Sequence, residues 1–222
     1  MKKTILVTLI VGAALAVGAG SLFMSLGYVK EDLTNLKESK SCPGCDLTGA
    51  FLTDLDLSWA YLPGAKLKNA KLNKAVGAQL QKAGLANAHL SGANLKAANL
   101  AKANLSKAVL QEADLSEANL EETILVGANL EEANLRNAIL QGANLSNANL
   151  KKADLSQANL IGAIFADADL TGAHFSDKTQ FQGADFRSAT LTDIRLTVEG
   201  KESNPTTDEF IQWLKEQKAI TD

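Results

Sequence analysis

Cys42-Pro43-Gly44-Cys45 is the short motif in this sequence that invites chemistry. Two thiols separated by two residues can close a redox disulfide or supply half of a tetrahedral zinc site. The rest of either site is not evident: the two histidines, His89 and His174, lie far along the chain, and no strand-helix-strand context supports a thioredoxin-like dithiol. Cys42 and Cys45 are therefore expected to be structural thiols or to pair with each other as a disulfide in an oxidising compartment. No nucleophile, base and orienting group recur together, so the sequence predicts no catalytic residue, no metal, no cofactor and no enzyme.

The element that positions the second cysteine is a repeat. From Leu80 to Phe175 a Leu or Phe falls at every fifth position, making 20 consecutive units of which 18 end in Leu. Two residues earlier stands Ala in 19 of them, with Thr123 the exception, and the residue between is Asn or Asp in 12. A period of five scatters the leucines around a helix and alternates them across a strand, so the chain must turn a corner within every unit. Ala and Leu, two apart in an extended segment, face inward together, and the Asn or Asp between them faces out. Coils so built bury their leucines by stacking into parallel ladders. Cys45 takes the small inward position before Leu47.

Runs such as ANLKAANLAKANLSKAVLQEADLSEANL resemble the A(D/N)LXX repeats of the pentapeptide-repeat proteins, and the CxxCDL start resembles the opening coil of many bacterial members. The resemblance extends N-terminally to Leu47 and C-terminally to Leu196, about two thirds of the chain. It implies an all-β solenoid, a right-handed quadrilateral parallel β-helix with four units to a coil, so that residues 20 apart stack. Some cytoplasmic members mimic duplex DNA and bind type II topoisomerases; the targeting segment and the lysine-rich half described below depart from that alternative.

The register breaks twice. The spacing of eight between Leu72 and Leu80 predicts a bulge or small loop at Ala75-Val76-Gly77, and the spacing of six between Phe175 and Phe181 places one inserted residue at Asp177-Lys178-Thr179. Solenoid ends need covers. Val29, Leu33 and Leu36 predict a short N-terminal capping helix over 30–41, before a β-helix over 42–198. Thr206 and Glu209 form a capping box for a C-terminal helix with Phe210, Trp213 and Leu214, so 199–222 reads as linker and cap.

Residues 1–29 read as a membrane-targeting helix. Lys2 and Lys3 precede an uncharged stretch from Thr4 to Val29, compatible with a cleaved signal peptide or with a retained transmembrane anchor. Either places the remainder outside, as an inner-membrane-anchored extracytoplasmic domain or a protein exported to a periplasm-like compartment.

The chain has 222 residues, 5% of them aromatic, and a net charge of −3 that points to no nucleic acid. Charge is unevenly spread. Lys66, Lys82 and Lys102 belong to a stretch from 66 to 107 without acidic residues, and Glu112, Glu122 and Glu132 to one from 112 to 132 without basic ones. Stacked pairs such as Lys102 with Glu122 and Glu132 with Lys152 would offset each other, or the two bands would form a bipolar docking surface. Phe51, Trp59 and Tyr61 face outward in the first coils, to pack under the N-terminal segment or to contact a partner. The expected function is non-catalytic: a rigid surface for an unidentified protein partner, or a purely structural spacer. Self-association through column ends or faces is a further option.

Overall fold

The computed structural model of the protein describes residues 22–53, 55–67 and 70–216. Each repeat unit makes one side of a four-sided coil. After the inward Leu, two residues turn the corner: the Leu80 carbonyl accepts from the Ala83 N–H at 3.0 Å, and Lys82 takes a φ of 58°. That is the pattern of a type II turn. The second corner residue repeats this left-handed backbone at Lys102, Glu122 and Glu132, a conformation that costs a non-glycine residue about 1–2 kcal/mol and that the stacked coils impose.

The outward Asn or Asp supports the same corner. Its Oδ1 accepts the backbone N–H two residues ahead, as from Ser106 to Asn104, Ser116 to Asp114 and Ser146 to Asn144, each at 3.0 Å. A short side chain with an acceptor is what this position requires, which is why Asn and Asp recur there.

Coils stack in register. Asn94 pairs with Asp114, Asp114 with Asn134 and Asn134 with Asp154, all parallel and 20 apart. Four such ladders run along the column, beginning at Ser41, Asp46, Phe51 and Lys74, and are called first to fourth below. Along them backbone groups exchange bonds coil to coil, as in Asn99 N–H to the Ala78 carbonyl at 2.8 Å and Leu100 N–H to the Asn119 carbonyl at 2.7 Å. Inside, the alanines and leucines form one continuous buried core. Thr123, in an alanine's place and fully buried, donates its hydroxyl to the Leu100 carbonyl at 2.9 Å, which makes the substitution tolerable.

The first register break corrects the expectation. Ala75-Val76-Gly77 is not a bulge: Val76 and Gly77 form an ordinary corner, closed by Ala78 N–H to the Ala75 carbonyl at 3.1 Å. The chain is instead two residues short, because Leu72 runs directly into Asn73 and Lys74 with no corner between the third and fourth ladders. Lys71 consequently pairs with His89, 18 residues on, whereas Lys74 pairs with Asn94, 20 on. Asn73 stands where Ala is expected, and its Oδ1 is buried without a partner among the described residues.

The second break is one extra residue, as the spacing indicates: Asp154 pairs with His174, 20 on, and Asn159 with Gln180, 21 on. The longer corner follows strand β1 (His174–Ser176), and Thr179 fills an alanine position. Here the Gln157 N–H donates to the hydroxyls of Ser176 and Thr179, both at 3.1 Å.

Helix α1 (Leu22–Ser39) covers the N-terminal end. Leu36 is buried against the first coil, Leu33 packs beside it, and the Asp32 carboxylate accepts the Asp46 N–H at 2.7 Å. The helix runs unbroken through the 29/30 boundary that the sequence suggests. Residues 1–21, which hold most of the targeting stretch, lie outside the described residues. Among the described residues no helix is long and apolar enough to cross a membrane.

At the other end β2 (Arg195–Val198) pairs in parallel with β1 and antiparallel with β3 (Lys201–Ser203). Part of the segment that reads as linker thus adds a hairpin to the final coil, its turn made by Glu199 and Gly200 with φ of 49° and 76°. Helix α2 (Thr207–Glu216) then lays Phe210 and Leu214 over the column's end. Its capping box is formed: Thr206 N–H donates to Glu209 Oε2 at 2.8 Å, and Glu209 N–H to Thr206 Oγ1 at 3.3 Å.

Candidate interaction surfaces

The cysteine pair sits under α1. Cys42 and Cys45 are both buried and free, joined by a turn in which Cys45 N–H reaches the Cys42 carbonyl at 3.4 Å and Gly44 takes a φ of 67°. Cys42 Sγ donates to the Asp32 carbonyl at 3.6 Å. Burial pushes both thiols up, Cys45 far more than Cys42, so neither is a reactive thiolate at neutral pH. Among the described residues no group of His, Cys, Asp and Glu could hold a metal ion.

The charged bands do not share one surface. Lys82, Lys102 and Glu122 stack on the corner between the first and second ladders, while Glu112, Glu132 and Lys152 stack on the corner between the third and fourth. Lys66 lies on the second ladder, 3.9 Å from Asp46. Successive coils pair as the stacking register requires: Lys102 meets Glu122 at 3.3 Å and Lys152 meets Glu132 at 2.9 Å. Each of the two opposite corners therefore changes sign once, from lysine to glutamate on one and from glutamate to lysine on the other, and the two bands do not form one bipolar patch.

Nor do the aromatics cluster. Phe51 opens the third ladder, Tyr61 lies on the first, and Trp59 occupies the corner between the fourth and first. All three remain exposed, at 71%, 51% and 73%. The N-terminal helix does not cover them. Trp59 lies over Gly77, where an added Cβ would come within 2.5 Å of the ring, and the Lys71 ammonium sits 5.0 Å from the Phe51 centroid.

One cluster escapes sequence reasoning. His174 Nδ1 lies 3.1 Å from Ser156 Oγ and 3.5 Å from Asp154 Oδ1, and its Nε2 lies 2.8 Å from Thr197 Oγ1. Arg136 holds the same Asp154 at 3.1 Å. Burial raises the Asp154 carboxyl, but bonds from Ser156 and Arg136 outweigh it and leave the group below its ordinary range. Ser156 and Asp154 compete for one ring nitrogen, and Ser156 is buried, so the cluster acts as a polar staple across successive coils beside the lengthened corner. The signal available in the sequence was the 20-residue stacking of His174 on Asp154.

The model of pentapeptide repeats matches the chain in eight copies, over residues 42–76, 76–112, 113–151, 138–177 and 153–197. The protein belongs to the pentapeptide-repeat family. No curated protein sequence matches it. Solved structures similar to this pentapeptide-repeat chain include a protein of the Arabidopsis thaliana thylakoid lumen, 30% identical, with 53% of this chain and 74% of that one covered and a TM-score of 0.46. HetL of the cyanobacterium Nostoc sp. strain PCC 7120, involved in heterocyst differentiation regulation, is 26% identical over 78% of this chain and 98% of its own, with a TM-score of 0.21. QnrB1, a plasmid-mediated fluoroquinolone resistance protein, is 19% identical over 81% and 100%, with a TM-score of 0.29.

Proposed function

We propose that this pentapeptide-repeat protein is a non-catalytic binding scaffold held on the outer side of a bacterial membrane by its N-terminal segment. One observation carries the reading. The Asn and Asp side chains of the ladders are spent on the backbone two residues ahead, whereas at the corners lysine and glutamate stand in stacked, exposed columns that can meet a partner. A rigid backbone holds these columns at fixed spacing, about 4.8 Å from coil to coil. Such a surface favours a protein partner whose own charges repeat along its length.

The test is crosslinking in the native organism with the tagged full chain, followed by mass spectrometry. A reproducible partner is expected with the parent chain and is lost when Lys82 and Lys102 are both changed to Glu. No reproducible partner, and no effect of that reversal, would leave the structural-spacer reading in its place. Fractionation of the same cells tests the location: recovery in the membrane fraction, with the column open to external protease, is the expected result.

A further inference from the structure

Aromatic side chains are sorted along the column. The exposed ones, Phe51, Trp59 and Tyr61, fall within a single coil's length of chain, so their heights along the axis differ by about one ladder spacing, ~5 Å. Around the axis they point to different sides: the third ladder, the fourth-to-first corner and the first ladder. A partner docking on the side of the column would meet one face or two adjacent ones, not the first and third ladders at the same height. A plane perpendicular to the axis meets them all. Trp and Tyr are the side chains that favour the headgroup level of a bilayer, where one end of the ring is apolar and the other wet.

Three other observations belong to the same end. Trp59 is held outward by a left-handed backbone, φ 63°, with one ring face resting on Gly77. Exposed Lys71 and Lys74 lie on the same two coils, with stems long enough to carry their charges toward headgroup phosphates, beside Lys66, which reaches Asp46 at 3.9 Å, and Lys40, which donates to the Ser58 carbonyl at 3.3 Å. The chain also enters the column here, through α1, after the uncharged stretch of residues 4–29. The opposite end shows no such ring, because its aromatics turn inward: Phe175 lies 5.3 Å from Phe210, and Phe181 5.6 Å from Trp213.

We propose that the first two coils form a lipid-contacting girdle, and that the column stands end-on at a bilayer surface with Phe51, Trp59 and Tyr61 at headgroup level. The proposal rests on the membrane-held reading above and adds to it an orientation and a set of contacts. Standing end-on keeps all four sides of the column free for the partner.

The full chain is reconstituted with vesicles of phosphatidylcholine and phosphatidylglycerol carrying either ordinary or brominated acyl chains. Trp213→Phe leaves Trp59 as the reporter, and Trp59→Phe leaves Trp213, about six coils or ~30 Å away. Bromine is expected to quench Trp59 severalfold and to leave Trp213 unchanged. Sedimentation of the chain with vesicles while Trp59 stays unquenched overturns the girdle, assigns those aromatics to a protein contact and leaves the membrane-held reading intact. Quenching of both tryptophans overturns the end-on orientation. A chain that does not sediment with vesicles removes the membrane-held reading and the girdle with it. Should Trp213→Phe unfold the protein, the unmodified chain serves: its emission should fall in part, and Trp59→Phe should abolish that fall.

Discussion

The two ends of the column use the same kind of side chain in opposite ways. At the C-terminal end Phe165, Phe175, Phe181 and Phe210 are fully buried, with Phe210 of α2 stacked on Phe175, Trp213 of α2 edge-on to Phe181, and Phe165 stacked on Phe186. At the N-terminal end Phe51, Trp59 and Tyr61 project from coils whose interiors are closed by small residues and leucines alone. The contrast separates two tasks. Aromatics at the C-terminal end supply apolar volume where the coil is enlarged by an extra residue, whereas those at the N-terminal end add nothing to a core already complete without them.

The sharpest way to break this contrast is truncation at each end. Phe175→Ala should cost about 3–5 kcal/mol, the range for emptying a buried phenylalanine site. Phe51→Ala should change stability by no more than about 0.5 kcal/mol. Urea unfolding of the full chain, followed by circular dichroism, measures both. Equal losses would mean that Phe51 is covered in solution.

A smaller effect of opposite sign is expected at the short coil. Asn73→Ala restores the small inward residue and removes a buried, unpaired carbonyl oxygen, so it should stabilise the protein by about 1–3 kcal/mol. Thr123→Ala, which removes a hydroxyl bonded to the Leu100 carbonyl, should bring no such gain in the same urea titration. The pair tests whether the irregularity of the N-terminal coils is a local defect.

At the C-terminal end, acid should loosen α2 first. Bonds from the Thr206 N–H and hydroxyl hold the Glu209 carboxyl below its ordinary value of 4.5. A depressed folded value means that the cap contributes fully above the unfolded value and is lost as pH falls through the lower, folded one. Amide exchange within α2 should therefore accelerate below about pH 4 while the central coils stay protected. Glu209→Gln should remove that pH dependence.

The smallest change is expected along the corners. Lys102→Ala breaks an ion pair whose partners are both about half exposed, 52% and 57%, and should cost no more than about 1 kcal/mol, less at high salt. A larger loss would mean that the stacked charges hold the column together as well as dress it.

Much of this was legible in the sequence because the repeat writes its geometry at every fifth residue. Ala and Leu inward and a corner in each unit follow from the period, and the stacking of Lys102 on Glu122 follows from the four-unit coil that the family resemblance implies. The extra residue before Phe181 also follows from the period, while the lid made by Phe210 and Leu214 was legible from the Thr206–Glu209 capping box. The short coil was misplaced because spacing alone reports that residues are missing without saying from which corner. Only the pairing of Lys71 with His89 and Lys74 with Asn94 locates the deficit at Leu72 and Asn73. Phe51, Trp59 and Tyr61 face outward as the period indicates, but the period alone did not tell which sides they occupy. Neighbours in sequence lie on different sides of a coil that turns four times in 20 residues.

What the sequence determined by itself is the inside, since a Leu or Phe at every fifth residue with an Ala two before it is buried only by coils that turn a corner in each unit and stack on one another. What the tertiary structure decided is the outside. Which charges share a corner and on which sides of the end the exposed aromatics stand depend on the stacking of residues about 20 apart, and that stacking exists only once the coils have formed.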